Sequence, residues 1–144
     1  MNIVQRKPGK TRDVIRVLFV DDDEDDAELA HLVLEDYSLS VTTTTTPKKA
    51  LALLATQRFD CIVSDYMMPG MNGIQLCTEV RKKSMIPFII YTAWTSEEVA
   101  RTALAAGVDY YIRKQENISH FKNLGSSIEH AVKSRPSGMS ALAK

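Results

Sequence analysis

The residues of this chain best suited to chemistry are carboxylates, a threonine and a lysine, each standing just beyond a short apolar run. Asp65 follows Cys61, Ile62 and Val63 and precedes the turn-formers Pro69, Gly70, Asn72 and Gly73, which places it at the carboxyl end of a buried strand. Asp21 and Asp22 close the run Val14 to Val20, Thr92 closes Phe88 to Tyr91, and Lys114 follows Tyr110 to Ile112. In an open α/β sheet the carboxyl ends of the strands share one edge, and ligands bind there. Three carboxylates gathered at that edge repel one another, and without a cation at least one pKa rises. Mg²⁺ suits such a set, because it takes oxygen donors while keeping waters and a phosphate oxygen in its octahedron. A metal, a hydroxyl and a lysine around one carboxylate are what phosphoryl transfer onto that carboxylate needs, since catalysis there is mainly positioning and charge neutralisation. Each group also has a plainer reading. Asp21, Asp22 or Asp65 could cap a helix, Thr92 could be an ordinary strand residue, Lys114 a solvated cation, and Arg113 could take the phosphate role instead.

Five strands alternating with five helices position these groups. Val14 to Val20 is a strand, and after the acidic loop Leu29, Leu32 and Val33 recur at helical spacing. Leu39 to Thr45 is β-branched and ends at Thr46-Pro47, a cap followed by proline at the first helical position, with Ala50, Leu51, Leu54 and Ala55 as that helix's apolar face. Beyond Asp65, Asn72 with Gln75 forms a capping box for a helix faced by Ile74, Cys77 and Val80, and Thr95 with Glu98 forms another for a helix through Ala106. Gly107 suits that helix's C-terminal turn. Ile118, Phe121, Leu124, Ile128 and Val132 mark a last amphipathic helix. Strand and helix in alternation predict a mostly parallel sheet covered on both faces, with right-handed crossovers. Residues 1–13 read as a flexible basic arm, 14–133 as the folded domain and 134–144 as a disordered tail or linker stub.

The 144 residues suit one domain with a real core, and eighteen basic residues balance eighteen acidic ones, so no global field points to nucleic acid or an anionic membrane. Cys61 and Cys77 lack metal-site spacing and read as buried thiols of a reducing compartment. With no long apolar run and no signal-peptide core at the start, the expectation is a soluble cytoplasmic protein. Gly9-Lys10-Thr11 fails as a phosphate loop, since Val4 stands where its first glycine belongs and no strand precedes it. His31, His120 and His130 read as surface or boundary residues.

The chain resembles the receiver domain of two-component response regulators. The resemblance rests on Val-Leu-Phe-Val-Asp-Asp (17 to 22), Asp65 with its Met-Met-Pro-Gly-Met-Asn-Gly sequel, Tyr91-Thr92-Ala93 and Tyr-Tyr-Ile-Arg-Lys (110 to 114). It covers roughly residues 14 to 133 and implies a flavodoxin-like doubly wound sheet of order 2-1-3-4-5, as in the chemotaxis member of the family. It also implies that Asp65 accepts a phosphoryl group from the phosphohistidine of a sensor histidine kinase or a phosphotransfer protein. Asp22 and Asp65 would bind Mg²⁺ or Mn²⁺ directly with the Met67 carbonyl, and Asp21 largely through water. Lys114, favoured over Arg113 by strand alternation and by its spacing from Tyr111, would contact one phosphoryl oxygen. Thr92 and the Ala93 N–H would contact another, and Tyr111 would swing inward as Thr92 shifts. The implied protein is a signalling switch that catalyses only its own phosphorylation and slow dephosphorylation. It would bind neither nucleic acid nor membrane, and its homodimer face would be the fourth helix, fifth strand and fifth helix.

Two departures from the family pattern matter. Gln115 replaces the usual proline after Lys114, and a cis bond before a non-proline costs about 2.5–4 kcal/mol, so a trans Lys114-Gln115 bond or a reshaped loop is expected. Met67 and Trp94, two residues past Asp65 and Thr92, occupy positions that tune phosphoryl hydrolysis, and neither is a base at neutral pH. Three rival readings compete. A calcium loop fails where Asp26 replaces the turn glycine and Leu32 the bidentate glutamate. A haloacid-dehalogenase-like phosphohydrolase would use Asp21 as nucleophile, but Asp25 departs from its motif and nothing resembles a cap domain. The third is an interaction module that keeps the fold without phosphorylation.

Overall fold

A computed structural model describes residues 14–114 and 120–134. The expectations for the N-terminal arm, the C-terminal tail beyond 134, the Lys114-Gln115 bond, Ile118 and the His120 side chain lie outside these residues. The elements are β1 (Ile15–Val20), α1 (Glu24–Leu34), β2 (Leu39–Thr44), α2 (Pro47–Thr56), β3 (Cys61–Ser64), α3 (Gly73–Arg81), β4 (Phe88–Thr92), α4 (Glu97–Ala105), β5 (Tyr110–Arg113) and α5 (His120–Lys133), with one 3-10 turn, Glu35–Tyr37, after α1. All strand pairs are parallel, and their order is β2-β1-β3-β4-β5. This is the doubly wound, flavodoxin-like arrangement expected from the sequence. Among the described residues no helix is long and apolar enough to cross a membrane.

Strand alternation divides the core in two. Val17, Phe19, Cys61, Val63, Ile89 and Tyr91 pack on one face with Ala27, Ala30 and Leu34 of α1 and Phe121, Leu124 and Ile128 of α5. Leu18, Val20, Ile62, Phe88 and Ile90 pack on the other with Ala50, Leu76, Cys77, Val80 and Ala103 from α2, α3 and α4. Both cysteines are buried, and burial pushes the Cys77 thiol up to about 11, so it stays protonated.

Three local readings change. The buried stripe of α1 is Ala27, Ala30 and Leu34, while Leu29 and Leu32 are 41% and 62% exposed. Small alanines let the helix approach the sheet, so size in the sequence pointed to the wrong face. Ala55 of α2 is likewise exposed. The cap of α4 is Ser96, whose side chain accepts from Val99 N–H, one residue beyond Thr95. Adjacent hydroxyls have the same reach, and the register that buries Ala103 selects the second. The Thr46 cap with Pro47 and the Asn72–Gln75 capping box form as expected, and Gly107 turns the chain after α4 at φ 107°.

One contact couples α3 to the site. Gly73 N–H donates to the Tyr66 carbonyl at 2.9 Å, and a Cβ on Gly73 would meet the Asp65 carbonyl oxygen at 2.5 Å and Tyr66 Cα at 3.2 Å. Both obstacles are backbone and cannot rotate away. Gly73→Ala is therefore expected to destabilise the fold by about 1–3 kcal/mol, read as a lower urea midpoint; an unchanged midpoint would mean that the Asp65 loop yields freely.

Candidate functional site

The backbone fixes three of the site residues by one device. Asp21, Asp65 and Lys114 each follow immediately on a strand, and each extends the parallel ladder by donating its N–H to the last residue of the neighbouring strand. Asp21 donates to the Thr44 carbonyl at 3.1 Å, Asp65 to Val20 at 2.9 Å and Lys114 to Thr92 at 2.8 Å. All three also share parity with Phe19, Val63, Ile112 and Tyr91, the α1/α5 face of the sheet. Their side chains therefore converge.

Lys114 is the hub. Its Nζ donates to Asp21 Oδ2 at 2.8 Å, to Asp26 Oδ2 at 3.2 Å and to Asp65 Oδ2 at 3.4 Å, and it lies 5.6 Å from the centre of the Tyr91 ring. Arg113, on the opposite parity, is exposed. Asp21 is 1% exposed, and its other oxygen accepts the Asp23 N–H at 3.0 Å. Asp65 Oδ1 accepts the Tyr66 N–H at 2.6 Å. One carboxylate oxygen from each of Asp21, Asp22 and Asp65 lies within 4.8 Å of the others. These three hard oxygen donors fit a divalent cation of the Mg²⁺ type.

Helix capping falls to Asp23, whose carboxylate accepts from Asp25 and Asp26 N–H, which releases Asp21 and Asp22 from that duty. Thr92 is buried, and its hydroxyl accepts the Trp94 N–H at 3.3 Å, with no hydrogen bond to Asp65. The Tyr111 hydroxyl donates to the Trp94 carbonyl at 3.1 Å. Ala93 is exposed, as are the side chains of Met67 and Trp94. Trp94 stacks on Tyr66, with centroids 5.5 Å apart and planes at 13°. The site thus brings Asp21, Asp22, Asp65 and Lys114 together and ties Thr92 and Tyr111 to the Trp94 backbone. His31 pairs with Glu35 at 3.8 Å, and His130 lies beside Tyr110.

Sequence reasoning passed over Asp26 and Tyr66. With Asp23 as cap, Asp26 is the third residue of α1, a position whose side chain commonly reaches back over the cap. That offset was the available signal. Tyr66 gave none, since its stack depends on a ring that lies beyond the end of the next strand, β4.

A family model for the response regulator receiver domain matches residues 17–124. The chain belongs to that family. Response regulator SaeR of Staphylococcus aureus (strain USA300) is 38% identical over 99 residues, 68% of this chain and 43% of SaeR. This receiver domain therefore spans less than half the length of that relative. The Francisella response regulator 1452 receiver domain superimposes with a TM-score of 0.76 at 31% identity, covering 83% of this chain and 98% of its own. TrrA of Thermotoga maritima, solved in complex with Mg(2+)-BeF, gives 0.70 at 27% identity over 80% of this chain and 99% of its own. Membership in a two-component signalling family leaves the phosphohydrolase alternative without support.

Burial dominates the electrostatics of Asp21 and pushes its carboxyl up to about 6, against the hydrogen bonds from Lys114 and Asp23. Burial alone would lower the Lys114 pKa, but the hydrogen bond to Asp21 and the charges of Asp21, Asp65 and Asp26 outweigh it and hold the ammonium above its ordinary range. The folded state of Asp21 thus binds its proton more tightly than the unfolded chain does. Its contribution to stability is full below pH 3.8 and is lost as pH rises through about 6. With divalent cations chelated, Asp21→Asn is expected to match the unaltered chain near pH 4 and to exceed it by up to about 3 kcal/mol at pH 7–8. Urea titrations across this range check it; a stability difference that stays constant with pH would show that the ionised Asp21 carries no burial penalty.

Proposed function

We propose that Asp65 is the phosphoacceptor of a two-component switch, charged by the phosphohistidine of a sensor histidine kinase or a phosphotransfer protein. A carboxylate oxygen of Asp65 attacks phosphorus, the phosphorus–nitrogen bond breaks, and its electron pair leaves with the imidazole. The observation that carries this reading is the Lys114 ammonium 3.4 Å from Asp65 Oδ2 within a cluster of carboxylates. Lys114 is held cationic and can follow the phosphoryl oxygens as charge moves onto them. Asp21, Asp22 and Asp65, with the Met67 carbonyl, would hold Mg²⁺ or Mn²⁺. The bound ion supplies neutralisation of the phosphoryl oxygens.

Release of charge onto Asp65 reaches the surface through Trp94. Thr92 and Tyr111 grip opposite ends of that residue's backbone, the N–H and the carbonyl. When the Thr92 hydroxyl turns to a phosphoryl oxygen beside the Ala93 N–H, it leaves the Trp94 N–H, and the arrangement that Tyr111 stabilises changes with it. The face bearing α4, β5 and α5 is where we place the changed surface, including any homodimer. Residues 14–133 form the receiver unit in this reading, acting in the cytoplasm without contact to nucleic acid or membrane.

Acetyl phosphate with Mg²⁺ is expected to label the chain, with borohydride trapping the acyl phosphate at residue 65 and Asp65→Asn abolishing the label. Trapping at residue 21 would favour the phosphohydrolase, and no label at either residue would favour the unphosphorylated interaction module. Neither Met67 nor Trp94 can activate water, and the Tyr66–Trp94 stack lies beside the acceptor, so dephosphorylation is expected to be slow. Trp94→Glu should shorten the phosphoryl half-life by about tenfold, less than the 10²-fold of a well-placed general base. A half-life unchanged or lengthened in Trp94→Glu would count against this role.

A further inference from the structure

We propose that Asp26 is a positioning residue that keeps the Lys114 ammonium aimed at Asp65 once a phosphoryl group is there, an inference that rests on the phosphoacceptor reading above. An ammonium has three N–H groups, and Lys114 spends them on Asp21, Asp26 and Asp65 at 2.8, 3.2 and 3.4 Å. Asp21 and Asp65 belong to the set of three carboxylates that fit a divalent cation, and Asp26 does not. In the charged state Asp65 carries the phosphoryl group and Asp21 faces the cation. Asp26 is then the one carboxylate of the three that has no competing role.

The local structure of α1 leaves Asp26 available. A residue at its helical position normally turns its side chain back to the N–H of the cap. Here the cap is Asp23, and its N–H already donates to Asp21 Oδ1 at 3.0 Å. The Asp26 carboxylate is therefore directed to Lys114. The contact also joins the first turn of α1, which follows β1, to the residue that follows β5, two strands separated in the sheet by β3 and β4. An acidic residue in the first turn of a helix also interacts favourably with its dipole, so a purely structural Asp26 would lower thermal stability when replaced and leave ligand affinity alone.

Calorimetry on the full chain separates the two. Mg²⁺ is titrated first, then beryllofluoride at saturating Mg²⁺, with Asp26→Asn and Asp26→Glu compared against the unaltered chain. Asp26→Asn is expected to weaken beryllofluoride about tenfold, the low end for a hydrogen bond between charged groups at a half-exposed site, with Mg²⁺ affinity within about twofold. Asp26→Glu, which keeps the charge, should recover most of the loss. An undiminished beryllofluoride affinity in Asp26→Asn overturns the positioning role, as does a parallel loss of Mg²⁺ affinity or a failure of Glu to recover binding. Absence of any beryllofluoride binding by the unaltered chain would overturn the phosphoacceptor reading itself.

Discussion

Four carboxylates meet at one edge of this sheet, and Lys114 is the cation that the chain itself supplies among them. Asp21, Asp26 and Asp65 all accept from its ammonium, and Asp22 lies within the same oxygen cluster as Asp21 and Asp65. Among the described residues, one positive charge stands against four negative ones at this edge. The shortfall is sharpest at Asp21, whose carboxylate is taken out of water almost completely and rises to about 6 in consequence. Such a cluster is stable enough to fold yet incomplete, so it favours any divalent cation that joins it.

The convergence of these side chains comes from the backbone. Parallel strands that end in register continue the ladder by one residue, and the three N–H donors of Asp21, Asp65 and Lys114 do this at the ends of β1, β3 and β5. Alternation then sends their side chains to the same face, over Tyr91, while Arg113 and Tyr111 go to the other. Gly73 completes the arrangement, since its missing Cβ lets the start of α3 lie against the Asp65 carbonyl. Strand geometry thus fixes the backbone positions from which these side chains converge.

Those rules are periodic, which is why so much was legible in the residues alone. Strands, alternation and turn-formers placed Asp21, Asp22, Asp65, Thr92 and Lys114 at their strand ends, and the family pattern supplied the strand order. The cap at Asn72 was legible because both halves of its box lie three residues apart. Signals weakened where a choice depended on tertiary packing. The buried face of α1 went to alanines because close approach to the sheet outweighed the larger transfer energy of Leu29 and Leu32. The start of α4 shifted from Thr95 to Ser96 because neighbouring hydroxyls are interchangeable until Ala103 finds the core. Asp26 was obscured by the acidic run around it, since composition does not say which of six consecutive acidic residues caps a helix and which reaches across to another strand.

Trp94 shows how a site this compact can alter a surface. Its N–H is held by Thr92, its carbonyl by Tyr111 and its ring by Tyr66, which adjoins Asp65. A residue held at three points cannot respond to one of them alone. The Trp94 N–H lies in the peptide unit shared with Ala93 and its carbonyl in the next one, so the Thr92 and Tyr111 contacts are linked only through the φ and ψ angles of Trp94. Because Tyr66 precedes the exposed Met67 and Trp94 is itself 46% exposed, both ends of the linkage lie at the surface. A carboxylate only 13% exposed is thereby connected to two exposed side chains, Met67 and Trp94. The stack also ties the loop after β3 to the loop after β4, the two loops that border Asp65. Lys114 and Trp94 are thus linked through two neighbouring residues, Asp65, which accepts from the Lys114 ammonium, and Tyr66, which stacks on the Trp94 ring.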